Sequence, residues 1–406
     1  MPVPTIRVMD LSPLPPHSLR TGQLLTFSVR DATGKLLFAS GQILPDSPQA
    51  QLLIQRGAFV AAHETRDYQR ALAHKMDTLM HQGALLGDIA NAGANFHLER
   101  PGKAQPLSGQ AAWADLLSQT HALLREPKPA DFLPRFEALH ADAAARMAQQ
   151  PDAALMLLIF EGGQDFQNYS ARRALLAMLL TTLCARQLVY VDGDLDALTR
   201  AALSMNVGVC AQQDRMAMQI DSPSPAQRKA LISHGDAAAE LLRACGVSAE
   251  LWLQIVRLHH DAGPGPLAER APAERLARLL RRIDIFAARL SPRGTRLAMT
   301  GASAARTVYL DELQQPDEAG AALVKSVGLY PPGTWVRLVN GEVGLVFKRG
   351  FSATEPMVAA LLGKSGAPLS EPVPRDTRLA SQAIAASLAP HELKLRVNVE
   401  RLLKLY

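Results

Sequence analysis

From Pro151 to Pro331 the chain reads as one helical segment after another, and Pro331-Pro332-Gly333 then stops the run. Apolar residues recur there at three- and four-residue spacing, the signature of a helix with one buried face. Six helices are predicted, over about 151–160, 170–186, 194–210, 225–245, 248–260 and 273–290. Ser224-Pro225 and Ser248 are start signals, and Gly246 suits a helix end. Such a block buries its core by packing helix on helix, so the expected fold class is mainly α. Hydrophobic residues make up 48% and aromatics only 5%, so Ala, Leu and Val must build that core.

The flanks read differently. In residues 1–65, apolar stretches at 24–29 and 36–41 surround the turn signal Asp31-Ala32-Thr33-Gly34, a short helix is predicted at 51–55, and 57–61 returns as a strand. This is a small β-rich N-terminal module with no cluster of His, Asp or Glu. Residues 66–150 form a helical connector, interrupted at 102–108 and at Pro127-Lys128-Pro129. Its amphipathic helices either pack on the next domain or carry a homodimer contact; packing within the chain is preferred, because one apolar stripe needs one partner surface. After the helical domain of 151–333, residues 334–406 read as a small β appendix. Strands are predicted near 335–339, 344–348 and 357–361, with a hairpin at Asn340-Gly341 and a short strand or helix at 397–403.

Bulk properties exclude several roles. The 406 residues carry a net charge of +5, but no long basic run stands out, so a nucleic-acid partner is not expected. Cys184, Cys210 and Cys245 lack close-pair spacing and read as reduced, buried small hydrophobes. The N-terminus shows no signal-peptide pattern, and the longest apolar stretch, 174–185, is too short to span a bilayer. A cytoplasmic protein without a membrane span is the expectation.

The chemistry-bearing residues appear in a set order. Tyr169 opens a helix with Ser170-Ala171-Arg172-Arg173-Ala174; Met205-Asn206 follows, then His234, His259-His260 and Ile283-Asp284-Ile285-Phe286. Lys325-Ser326-Val327-Gly328-Leu329-Tyr330-Pro331-Pro332-Gly333 and Val336-Arg337-Leu338-Val339-Asn340-Gly341-Glu342-Val343-Gly344 close the series. That order resembles the HD-GYP family of bacterial signalling proteins, whose active members hydrolyse cyclic di-GMP on two or three iron-type cations. The resemblance implies an all-helical HD-domain core.

It also implies damaged chemistry. By position, the family's first metal-binding His falls on Tyr169 and its His-Asp pair on Met205-Asn206; a lysine that meets substrate phosphate falls on Val209. A carboxylate ahead of the first His falls on Asp165, and His234, His259, His260 and Asp284 are retained. The loop after His259-His260 is shortened and lacks its Tyr. Met is a soft donor, and Asn brings no charge to hold two divalent cations together. The expected catalytic set is therefore empty, with Tyr169, Met205, Asn206 and Val209 as degenerate positions. Asp165, His234, His259, His260 and Asp284 remain as metal candidates, for no ion or at most one divalent ion of Fe, Mn or Zn. The resulting reading is a catalytically impaired HD-GYP-like protein with a binding or scaffold role, its partner a cyclic dinucleotide or a signalling protein. The alternative is an active metal-dependent cyclic di-GMP phosphodiesterase with a rearranged site.

Overall fold

The structure, a computed structural model, describes residues 11–14, 25, 28–31, 36–38, 42–45, 58–61, 109–164, 166–260 and 263–406. Its contacts divide the chain into two units, Met1–Gln105 and Pro106–Tyr406. In the first, β1 (Leu11–Leu14), β2 (Val29–Arg30), β3 (Leu36–Phe38) and β4 (Ala58–Ala61) form an antiparallel sheet in the order β1-β4-β2-β3. Leu25, Val29, Leu44 and Val60 make its small core. The helix predicted at 51–55 and the connector up to 108 lie outside the described residues.

The second unit is mainly helical. The connector ends in α1 (Gly109–Arg125) and α2 (Phe132–Gln149), separated at the predicted proline break. The main block then runs α3 (Pro151–Gly162), α4 (Tyr169–Gln187), α5 (Asp192–Ser204), α6 (Cys210–Met218), α7 (Pro225–Ile232) and α8 (His234–Ala244). It continues with α9 (Glu250–Leu258), α10 (Pro272–Leu290), α11 (Gly301–Tyr309) and α12 (Glu318–Val327). At the centre is α4, buried along nearly its whole length and packed by α3, α5, α10 and α12. Its run of Ala, Leu and Met has no polar face, as a helix enclosed on all sides requires.

Three breaks differ from the sequence expectation, each for a local reason. The helix predicted over 194–210 ends at Ser204, because a tight turn at 205–209 carries Gly208 at φ +83°. The helix predicted over 225–245 is two helices that meet at Ser233. A capping box between Ser224 and Gln227 starts the first, and Gly246 at φ +93° ends the second. Finally α11 and α12, absent from the six, are Ala- and Gly-rich and depend on caps: Thr300 accepts from the Ser303 amide at 3.2 Å and Asp317 from Gly320 at 2.7 Å.

Beyond the helices, β5 (Trp335–Leu338), β6 (Val343–Lys348), β7 (Met357–Leu362), β8 (Pro368–Asp376) and β9 (Ile384–Leu388) form one antiparallel sheet in the order β8-β7-β6-β5-β9. The Asn340-Gly341 hairpin joins β5 to β6 with Trp335 opposite Leu345, and Gly341 takes φ +88°. The tail is helical, as α13 (Val399–Leu403). Sheet and helices share a core in which Met156, Leu157 and Phe160 of α3 meet Trp335, Leu345 and Phe347. Gly333, at φ +94°, lets the chain turn there: a Cβ would lie 2.7 Å from the Met156 carbonyl.

Candidate functional site

The site is assembled from four helices and one turn. His234 is the first residue of α8, Tyr169 the first of α4, and Arg173 sits one turn further along α4. His259 and His260 follow the last turn of α9, Asp284 projects from the middle of α10, and Asn206 lies in the turn after α5. Gly235 makes the α8–α9 approach close enough to matter: a Cβ there would sit 2.5 Å from the Arg257 carbonyl. This crossing brings the ring of His234 to 5.0 Å from that of His259 and 4.7 Å from that of His260, with the two adjacent rings 4.1 Å apart.

One ligand atom from each of the three histidines lies within 4.8 Å of the others, a cluster able to hold a metal ion. The backbone already orients two of the rings. His234 Nδ1 faces the Leu231 carbonyl at 2.8 Å, and His259 Nδ1 faces the Val256 carbonyl at 2.6 Å. A ring whose Nδ1–H donates to a carbonyl presents Nε2 as a lone-pair donor, the usual preparation of a metal-binding imidazole. The Nε2 atoms of all three are buried with no hydrogen-bond partner. The Met205 carbonyl lies near enough to His234 to act weakly on its charge, without the geometry of a hydrogen bond to Nε2. Burial lowers all three pKa values, followed by repulsion from neighbouring imidazoles at His259 and His260: His259 falls to about 3 and His260 to about 4. The rings are neutral at physiological pH, and neutral imidazole is the form that binds metals.

Asp284 is differently employed. Its Oδ2 is bonded by Nη2 of Arg173, and the two side chains are only 9% and 8% exposed. Burial, the largest influence, would raise the Asp284 carboxyl, but the Arg173 guanidinium together with His259 and His260 holds the group below the ordinary carboxylate range. Asp284 Oδ1 stays buried without a partner. Arg173 also stands 5.9 Å from the centre of the Tyr169 ring, and the Tyr169 hydroxyl accepts from Arg293 at 2.9 and 2.7 Å. The start of α4 is held by Asp214, which accepts from the Ser170 amide at 2.8 Å. A carboxylate at that end suits the helix dipole.

Met205, Asn206 and Val209 are built into the fold. Met205 is fully buried in the main apolar core. Asn206 accepts from Gln213 Nε2 at 2.7 Å, leaving its Nδ2 buried and unpartnered. Val209 is half-buried at the start of α6. Cys210 donates to the Asn206 carbonyl at 3.1 Å, and burial pushes its thiol up to about 12, so it packs as an inert thiol. Asp165 lies outside the described residues. The structure thus gathers His234, His259, His260 and Asp284, with Tyr169 joined to them through Arg173.

Sequence reading overlooked Arg173. The available signal was an arginine inside the apolar run that α4 buries, and a buried arginine demands a carboxylate partner. With Arg173 and Asp284 cancelling and the imidazoles neutral, these five side chains together carry no net charge. The donor set of three nitrogens fits a single ion such as Zn²⁺ or Fe²⁺. A pair of cations is disfavoured: at ~4 Å and an effective dielectric near 20 their repulsion is about 17 kcal/mol, and the carboxylate beside the histidines, Asp284, already has one oxygen on Arg173.

Known proteins frame this geometry. No protein-family model matches the chain. Over 238 residues it is 24% identical to a curated cyclic di-GMP phosphodiesterase of Pseudomonas aeruginosa, the match covering 57% of each chain. The chain therefore spans a little over half the length of that relative. Among solved structures it is similar to a HDG"Y"P protein from Bdellovibrio bacteriovorus, at 14% identity and a TM-score of 0.37, covering 77% of this chain and 98% of the other. The resemblance read from the order of the motifs is in keeping with the curated cyclic di-GMP phosphodiesterase relative. Among the described residues, no helix is long and apolar enough to cross a membrane.

Proposed function

We propose that this chain is a catalytically impaired HD-GYP-like protein that serves as a binding or scaffold module in bacterial cyclic di-GMP signalling. The observation that carries the reading is the Arg173–Asp284 pair. A guanidinium inside the protein already neutralises the carboxylate that two-metal chemistry would need for its cations. Asn206 supplies no second carboxylate, and its amide oxygen is already engaged by Gln213. Access points the same way, since Asn206 and His234 are 3% exposed, His259 1% and Asp284 7%. On this reading the binding role falls to the surface of the helical unit.

A second reading is favoured by the three unpartnered Nε2 atoms: the histidines hold one divalent ion, which would supply Lewis-acid chemistry if substrate reached it. On that basis the protein would be an active phosphodiesterase with a rearranged site. Incubation with cyclic di-GMP and added Fe²⁺ or Mn²⁺, followed by chromatography of the nucleotides, decides between them. The first reading predicts intact cyclic di-GMP. Robust metal-dependent turnover, abolished by His234→Ala, would establish the second.

A further inference from the structure

At the far end of α4 from Tyr169, about 25 Å along the helix axis at 1.5 Å per residue, a cleft of about 530 Å³ opens between the last turns of α4 and α12, the first turn of α3 and the β6–β7 loop. That volume is ordinary for a small-molecule site. Its lining places three cations around one space: Arg186, Lys325 and Arg349. Against them stands the single carboxylate Asp152.

Basic residues at helix C-termini often do no more than complement the helix dipole. Here they do more, because they converge on one cavity with two aromatic rings. Arg186 and Lys325 are exposed and make no ion pair or side-chain hydrogen bond among the described residues. Arg349, in contrast, is fixed. Its Nε donates to Asp152 and its Nη1 to the Ser326 carbonyl at 2.9 Å, which leaves three N–H donors of a positioned fork. Tyr330 lines the same cleft, and Phe351 stands wholly in solvent at its rim. Phe351 is presented by a loop that only glycine can close: a Cβ on Gly350 would fall 1.8 Å from the Glu355 carbonyl. A bare aromatic ring beside a cationic pocket has the elements of a base-stacking platform.

We propose that this cleft is a nucleotide-binding site, distinct from the histidine cavity, which takes phosphate on Arg186, Lys325 and Arg349 and a base against Phe351. The site stands apart from the reading of the histidine cavity, so failure of either leaves the other intact. The test is isothermal titration of the full chain at low salt with GDP, inorganic pyrophosphate and guanosine. GDP should bind at least about tenfold more tightly than pyrophosphate, since a stacked base adds that much, and guanosine should not bind measurably. R186Q/K325Q should weaken GDP by about tenfold or more through lost charge-assisted contacts. F351A should weaken GDP alone and leave pyrophosphate unchanged. His260→Asn, confined to the other cavity, should leave GDP binding intact. Both lysine/arginine changes and F351A are at exposed positions, so circular dichroism should show an unchanged fold. No GDP binding, equal affinity for pyrophosphate and GDP, GDP binding insensitive to R186Q/K325Q, or its loss in His260→Asn would each overturn the proposal.

Discussion

Replacing Arg173 by Met removes a charge from the centre of the helical unit while preserving much of its apolar stem. Asp284 is then left buried without its cation, with Oδ1 already lacking a partner. Breaking a buried pair in this way costs about 3–5 kcal/mol at neutral pH. The sign of the pH dependence is the sharper test. In the native protein Asp284 is held below its unfolded value, so the pair's contribution is present above about pH 3.9 and disappears only as pH falls through the folded value. In Arg173→Met the guanidinium's share is lost, and burial, the largest influence on this group, moves the carboxyl upward. Stability is then lost as pH rises through that raised value, so the deficit is greatest at pH 7 and shrinks towards pH 5. Urea unfolding of the two proteins at both pH values measures this; Arg173 also depresses His234 and His260, so its removal adds a histidine difference in the same direction. Arg173→Met/Asp284→Leu should recover most of the loss. A neutral-pH deficit under about 1 kcal/mol, or a deficit equal at both pH values, would refute the idea that Arg173 is the cation of this cavity.

Other outcomes follow from neighbouring features. Gly235→Ala forces α8 away from α9 and should cost about 1–3 kcal/mol, with a parallel loss of Zn²⁺ affinity measured by competition with a chromophoric chelator. The depressed histidine values mean that the unfolded chain takes up protons first on acidification. Stability should therefore be fullest above about pH 6.5 and fall as pH drops towards 4, and His259→Asn should flatten that slope in urea titrations. Trp335→Ala opens the core shared by α3 and the sheet and should cost about 3–5 kcal/mol by the same assay, leaving metal binding unaltered.

The helical block was legible because its apolar spacing and terminal Pro331-Pro332-Gly333 are local signals. Met205–Val209 and Ser233 were not, since each break depends on backbone geometry inside a continuous apolar pattern. Strand β8 escaped because its three prolines weaken any strand pattern; it survives at the sheet edge, where ladder bonds are needed on one side only. At the candidate site, residue order pointed to the histidines and Asp284. What spacing does not carry is competition for a partner. That Asp284 faces a guanidinium depends on α4 and α10 lying side by side, a contact separated by 111 positions in sequence. The residue types at Met205 and Asn206 were visible in the sequence, whereas their places in the core and with Gln213 were visible only in three dimensions.

A cavity whose charge is already balanced from within, by Arg173 against Asp284, has room for few cations, and metal stoichiometry reads this out. Protein purified without chelator, loaded with Fe²⁺, Mn²⁺ or Zn²⁺ and freed of excess ion, would be analysed by plasma mass spectrometry against the chain concentration. The account predicts no more than one divalent ion per chain, and none in His259→Ala. Two ions per chain, retained with the Arg173–Asp284 residues unchanged, would contradict it.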